Sequence, residues 1–270
     1  MNFGFGSLQR YVKSFLFLAL LACGIIVRPE ALAADQIPVR HIEGVTHGFL
    51  VLRTLQGDAI ADGDLRQVVK QGRVTDHLLF RFKDGSVHEE TTTYTQRGEF
   101  RLVSDQLVQK GPSFKHPVET SIDASTGQVT MRFTENGNQK VVSERLELPP
   151  DVSNGFIFTL LKNIQPSVPQ TTVSMVAASS KPRLVRLNIS PQGQKTFLVG
   201  NISHKATHYV LKVEIGSASG VVAKLIGREP PDTHVWVLEG EAPALVESER
   251  PLYEGGPIWR MELAVPNISR

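Results

Sequence analysis

The stretch that decides the class of fold is residues 74–94, VTDHLLFRFKDGSVHEETTTY. In its first part, Asp76 interrupts an otherwise apolar row at every second position, which consists of Val74, Leu78, Phe80 and Phe82. Side chains of a β-strand point alternately to opposite faces, so a period of two predicts a strand with one buried face. The second part, residues 86–94, is rich in threonine and charge, which is typical of a strand with at least one wet face.

Turn signals separate this stretch from others like it. Asp84-Gly85 lies between its two parts, and Asp-Gly favours the positive-φ turns of antiparallel hairpins. Similar dipeptides along the first half are Asp62-Gly63, Arg97-Gly98, Thr126-Gly127 and Asn136-Gly137. Further alternating rows occur at residues 100–102, 129–133, 185–189, 209–215 and 259–265. The chain is therefore predicted to be a meander of neighbouring strands.

One segment has a different period. In residues 151–164, DVSNGFIFTLLKNI, the apolar side chains are spaced as one helical stripe: Phe156, Ile157, Leu160, Leu161 and Ile164. Asp151 or Ser153 is the expected N-cap, and prolines on both sides delimit the helix.

These elements predict a mostly β fold, an antiparallel curved sheet or half-barrel with one amphipathic helix at about 151–164 packed on it. A two-sheet β sandwich is the alternative. Parallel α/β folds are excluded because they need a helix between most strands. We expect a lead-in at residues 34–44 and a single domain at 45–270, with a possible sub-division near 165–170.

The N-terminal residues 1–33 have the features of a secretory signal peptide. Arg10 and Lys13 precede an apolar run at residues 14–27, and an A-x-A site ends at Ala33. The run would form a helix of about 21 Å, too short to cross about 30 Å of hydrocarbon. We therefore expect cleavage after Ala33 and a periplasmic or secreted protein. The alternative is a lipoprotein anchored through Cys23, since Leu20–Cys23 resembles a lipobox.

The mature chain would carry no net charge and no cysteine. The whole chain has 29 basic and 27 acidic side chains, and removing residues 1–33 takes away three and one of them. Nucleic-acid binding requires a surplus of basic side chains, so we do not expect it. Cys23 is the single cysteine, so disulfides and thiolate chemistry are not expected after cleavage. No membrane-spanning segment is predicted in the mature chain.

Catalytic and metal-binding motifs are incomplete. Residues 216–220, GSASG, place Ala218 where a nucleophile elbow needs serine. The segment His88-Glu89-Glu90-Thr91-Thr92 lacks the second histidine of a zinc motif. We therefore predict no metal site, no cofactor and no catalytic residues, and regard an enzyme as the weaker hypothesis.

The layout resembles a known family. Leu148-Pro149-Pro150 leads into the predicted helix, and late strands carry HVWVL at 234–238, APALV at 242–246 and WRMEL at 259–263. This order resembles an exported bacterial family of domains of unknown function, thought to share the half-barrel of periplasmic lipoprotein carriers. In those carriers the concave apolar face holds acyl chains. The resemblance implies a half-barrel and favours a lipid-like ligand, and it assigns no functional residue.

Three functional hypotheses follow. The first is a non-catalytic binding or carrier module of the cell envelope for a lipid-like or hydrophobic ligand, since a curved sheet with a helix encloses an apolar concavity. The second is a structural or assembly accessory that contacts an envelope protein. The third is a hydrolase with a dispersed site. For the first, the candidate ligand-lining residues are Phe80, Phe82, Phe100, Met131, Phe156 and Leu160.

Overall fold

The computed structural model describes residues 35–135, 137–177, 181–199, 202–214 and 230–264. The predicted leader with Cys23, and the GSASG segment, lie outside these residues. The described residues form fourteen strands and one helix. Their bounds are β1 Thr46–Arg53, β2 Ala59–Lys70, β3 Arg73–Phe82, β4 Val87–Arg97, β5 Glu99–Lys110, β6 Val118–Asp123, β7 Gln128–Glu135, β8 Asn138–Arg145, α1 Ile157–Asn163, β9 Thr171–Ala177, β10 Arg183–Val199, β11 Ile202–Glu214, β12 Thr233–Leu238, β13 Leu245–Pro251 and β14 Ile258–Leu263.

All of these strands belong to one antiparallel sheet. Its order is β8-β7-β6-β5-β4-β3-β2-β1-β14-β13-β12-β11-β10-β9, so β1 and β14 meet in the middle and β8 and β9 are the edges. No ladder joins the two edges in the described part of the chain, and the curved sheet is unclosed. The half-barrel prediction is confirmed. The sandwich alternative is wrong because the strands form one sheet instead of two.

The hairpin turns follow the predicted chemistry at several positions and differ at one. Gly85 and Gly98 adopt positive φ between successive strands, as their Asp-Gly and Arg-Gly dipeptides predict. Gly63, in contrast, lies inside β2. An added Cβ there would come within 2.5 Å of the Phe80 ring and 2.7 Å of Leu50 Cβ. Its glycine therefore permits close packing of an aromatic ring against the strand, which is the other role of glycine in a sheet.

The helix is shorter than predicted. It covers Ile157–Asn163 instead of 151–164, and no side chain caps its start. Asp151 and Ser153, the expected caps, are hydrogen-bonded to the backbone N–H and C=O of Ser174 in the edge strand β9. Residues 151–154 thus run beside β9, and Val152 forms a parallel bridge with Ser174. This segment forms hydrogen bonds with backbone groups at the edge of the sheet. Its polar side chains therefore bind the edge strand instead of capping the helix.

Helix α1 is packed between the two halves of the sheet. The Tyr94 hydroxyl of β4 lies 3.1 Å from Thr159 Oγ1, and the Tyr209 hydroxyl of β11 donates to the Ile164 carbonyl at 3.0 Å. Leu160 and Leu161 are buried in a core that also contains strands from both halves. The predicted apolar stripe is therefore what anchors the helix across the sheet. The described part of the chain has no helix with the length and apolar character that a bilayer crossing requires.

Candidate ligand-binding cavity

A large cavity lies on the face of the sheet that carries the helix. Its volume is about 2070 Å³, and its walls come from strands of both halves, from the N-terminal side of α1 and from the connections that follow β12 and β13. Pockets for drug-sized molecules usually measure about 300–1,000 Å³. The cavity is therefore large enough for a ligand well beyond that size.

Most of the cavity wall is apolar. Leu78 belongs to the first half of the sheet, and Leu211 and Val213 belong to β11 in the second half, so the apolar surface continues across the concavity. Other apolar side chains of the wall are Leu65, Leu107, Ile122, Phe133, Val185, Leu187, Leu245, Leu252 and Ile258. Such a surface suits the hydrocarbon part of a ligand, because burying it removes apolar area from water.

The six side chains predicted to line a ligand site are divided between cavity and core. Met131 and Phe156 are part of the cavity wall. Phe100 and Leu160 are buried in the core around α1 together with Phe156. Phe80 and Phe82 are buried in a second core with Phe114 and Trp259, where the Phe82 and Trp259 rings lie 5.3 Å apart. The structure thus brings these residues to the concave side of the sheet but places four of them behind the cavity surface.

A strip of polar side chains crosses the apolar wall, and sequence analysis did not identify it. His88, Glu90 and Thr92 of β4 occupy alternate positions and therefore share one face. Asp76 of β3 and Asp105 of β5 are the cross-strand partners of Thr92. The alternating polar residues of 86–94 were the available signal, since they predicted a wet face. That face is turned toward the cavity.

Asp105 is the most firmly held member of this strip. Thr92 Oγ1 donates a hydrogen bond of 2.6 Å to Asp105 Oδ1. Gly155, in the segment before α1, lies directly on this pair, so that a Cβ at position 155 would overlap with both side chains. Burial and the nearby Glu90 raise the pKa of Asp105 well above its usual range, against the effect of the Thr92 hydrogen bond.

Only one of the two carboxylate oxygens of Asp76 has a hydrogen-bond partner among the described residues. Its Oδ2 accepts a hydrogen bond of 3.2 Å from the Tyr94 hydroxyl, and its buried Oδ1 has no partner among the described residues. Burial raises the pKa of Asp76 from 3.8 to about 7, while the Tyr94 hydrogen bond acts in the opposite direction. The Asp76 carboxyl group therefore keeps its proton to a higher pH than an exposed aspartate does.

His88 is a neutral member of the strip. Gln109 Nε2 donates to His88 Nδ1 at 2.9 Å and to the Leu252 carbonyl at 2.7 Å. Burial, with the nearby charge of Arg250, lowers the pKa of His88 to about 3. Because Nδ1 accepts, the proton of the neutral ring is on Nε2, which is buried and has no partner in the described residues.

An arginine and a glutamate line the cavity without forming an ion pair within 4 Å of each other. Arg250 of β13 and Glu90 of β4 are half-buried and both line the cavity. The guanidinium carbon of Arg250 lies 5.1 Å from the centre of the Phe158 ring. Burial raises the pKa of Glu90, and the charge of Arg250 opposes this effect. Burial likewise lowers the pKa of Arg250.

Another cation at the cavity wall, on the helix, has a partner. Lys162 of α1 forms an ion pair with Glu43 at 2.6 Å. Glu43 also accepts a hydrogen bond of 2.9 Å from Gln67 Nε2. The charge of Lys162 is therefore balanced by Glu43. This ion pair also connects the segment before β1 to the helix.

Chemistry beyond binding has little support in the described residues. Histidine rings there form hydrogen bonds to Asp64, Glu89, Gln109 and another histidine. None of these bonds reaches a serine, so the described part of the chain does not present the Ser–His pair that the hydrolase hypothesis requires. No group of three or more His, Cys, Asp or Glu there could hold a metal ion.

Comparisons with known proteins add a similarity of shape. No protein-family model matches the sequence, and no curated protein matches it. A similar solved structure is the crystal structure of a β-barrel-like protein of domain of unknown function DUF1849 from Brucella abortus. The identity is 9%, the TM-score is 0.45, and the alignment covers 83% of this chain and 98% of that chain. The likeness to periplasmic lipoprotein carriers stays a prediction.

Proposed function

We propose that this protein is a non-catalytic binding module that holds an amphipathic, lipid-like ligand in the cavity of its half-barrel. The observation that carries the proposal is the cavity of about 2070 Å³, whose wall is mainly apolar with one polar strip. Ligand sites commonly combine an apolar surface with a few polar groups that fix orientation. An apolar chain fits the first part of this wall, and a polar head group fits the second.

The predicted signal peptide gives this function a cellular place. Export of the chain, with cleavage after Ala33 or anchoring through Cys23, would put the binding module in the cell envelope. There it would bind or carry a molecule that is poorly soluble in water. The carrier role rests on the same cavity, because a carrier must shelter the apolar part of its cargo from water.

The test is saturable uptake of a dansyl-labelled fatty acid, followed by fluorescence. Val213→Trp adds a large ring to the cavity wall, and we expect it to weaken binding at least about tenfold because the ring displaces ligand volume. Val68→Trp is the matched control, since Val68 is exposed and lies outside the cavity wall. Binding should be unchanged in this control.

Two results would count against the proposal. One is a wild-type protein that takes up no fatty acid. The other is an equal loss of binding in both tryptophan variants, which would locate binding outside the cavity.

A further inference from the structure

Arg250 is a half-buried cation whose side-chain N–H groups donate to none of the described residues. A guanidinium group has five N–H donors, and those of Arg250 donate to no described residue. The charge that acts on it is that of Glu90, yet the two do not form an ion pair within 4 Å in the described structure. Buried charges are normally paired and hydrogen-bonded, because removing them from water is costly. Because Arg250 is half-buried and unpaired among the described residues, its N–H groups are available to a ligand in the cavity.

Arg250 lies at the cavity wall next to an aromatic ring. One side of the guanidinium is covered by the Phe158 ring at 5.1 Å. Arg250 is half-buried and lines the cavity. Stacking on an aromatic ring holds a guanidinium plane in place while its edge stays free for hydrogen bonds. This arrangement suits the binding of two oxygen atoms side by side.

The surroundings favour a negatively charged partner. His88 is neutral, and its Nε2–H is a second unpaired donor at the same wall. Burial raises the pKa of both Glu90 and Asp105, which favours their uncharged forms. Lys162 is already paired with Glu43. Arg40 and Arg183 also line the cavity, but their side chains are exposed to solvent. Arg250 is thus the half-buried cation beside the polar strip that has no ion-pair partner within 4 Å among the described residues.

We propose that Arg250 binds the anionic head group, a carboxylate or phosphate, of an amphipathic ligand whose apolar chain lies along the cavity wall. This inference rests on the proposed function and names the class of head group. Leu245 and Leu252 lie in the same wall as Arg250, so a chain that starts at the guanidinium meets apolar surface at once.

The experiment compares four ligands that share a dodecyl chain: dodecanoate, dodecyl phosphate, dodecanol and dodecylammonium. Isothermal titration below the micelle-forming concentration gives the affinity of each for the wild-type protein. We expect at least one of the two anions to bind about ten- to a hundredfold more tightly than the alcohol, the range of one or two charge-assisted hydrogen bonds. The ammonium should bind more weakly than the alcohol. The better anion shows whether the natural head group is a carboxylate or a phosphate.

Variants place the preference at position 250. Arg250→Gln should bind dodecanol within about twofold of the wild type and lose the preference for anions, since the apolar contacts remain and the cation is gone. Arg250→Lys should keep part of the preference, because the charge remains without the planar pair of donors. Arg81→Gln removes an exposed arginine outside the cavity wall and should bind like the wild type. Thermal unfolding of each variant confirms that it is folded.

The outcomes separate this inference from the proposed function. Equal binding of alcohol and anions by the wild type, tighter binding of the ammonium, or an anion preference that survives Arg250→Gln would overturn the role of Arg250. In each of these cases the cavity would still bind an amphipathic ligand. Failure of all four ligands to bind would overturn the proposed function and the head-group assignment together.

Discussion

Asp76 gives the sharpest test of the polar strip through the dependence of stability on pH. Its pKa is raised from 3.8 to about 7 by burial, so the folded protein holds this proton more firmly than the unfolded chain does. The stabilising contribution is fully present below pH 3.8 and is lost as pH rises toward 7. Asp76→Asn removes the titration and keeps an amide oxygen that can accept the hydrogen bond of the Tyr94 hydroxyl, which is 3.2 Å long in the native protein.

The size of the effect follows from the two pKa values. Each pH unit between them changes the free energy of unfolding by up to about 1.4 kcal/mol. From pH 5 to pH 7, the stability of Asp76→Asn relative to the wild type should therefore rise by about 2 kcal/mol. From pH 7 to pH 9, the further rise should be about 0.5 kcal/mol, because the carboxyl group is then ionised in both states.

Urea unfolding at pH 5, 7 and 9 measures this difference. Taking the variant minus the wild type cancels most of the contribution of other groups, such as His88, whose lowered pKa makes the stability of both proteins rise with pH over part of this range. A difference that stays constant from pH 5 to pH 7 would refute the assignment of a raised pKa to Asp76. A difference that falls would show that its carboxylate is stabilised in the folded protein.

Two further substitutions test the packing around the cavity. Gly155→Ala should lower the free energy of unfolding by about 3 kcal/mol in urea titrations, because a Cβ would overlap with Thr92 and Asp105 and the φ of 73° disfavours other residues. Gly85→Ala, at a φ of 85° with open space around it, should lose only about 1 kcal/mol, and equal losses would contradict the close contact at Gly155. Tyr209→Phe should destabilise the protein by about 1–2 kcal/mol, since it leaves the buried Ile164 carbonyl without its 3.0 Å hydrogen bond. An unchanged melting temperature for this variant would contradict a role of that bond in holding α1.

Local sequence patterns were sufficient for much of the fold. The alternating row at 74–82 is buried on one face as predicted, with Val74, Leu78, Phe80 and Phe82 in the cores. Leu160, Leu161 and Ile164 form the buried stripe of the helical segment. These predictions hold because periodicity reports directly which side chains share a face.

Other features depend on contacts that no local pattern contains. Asp151 and Ser153 are residue types that often cap helices. In the structure, their side chains form hydrogen bonds with the neighbouring strand β9 instead. Asp62-Gly63 is a dipeptide typical of turns. In the structure it lies inside a strand, and Phe80 of the neighbouring strand packs on Gly63. In both cases a tertiary partner outweighs the local preference.

The candidate site shows the same limit more strongly. Glu90, Asp105 and Arg250 come from three strands and are separated by up to 160 positions in the sequence. In the sequence, each of these residues looks like an ordinary solvent-exposed residue of a strand. They come to line a cavity because the sheet is curved. Aromatic residues such as Phe80 and Phe82 were better candidates by hydrophobicity, and for that same reason they are packed in the core.

Native mass spectrometry of the full chain, purified without detergent and titrated with dodecanoate, tests the central claim most directly. We expect one bound amphipathic molecule per protein, either retained from the cell or taken up during the titration. At a dodecanoate concentration near the dissociation constant of the wild type, the bound mass should persist in Val68→Trp and be strongly reduced in Val213→Trp. A protein that carries no such molecule at saturating dodecanoate, or that carries it equally in both variants, would contradict a ligand-holding cavity.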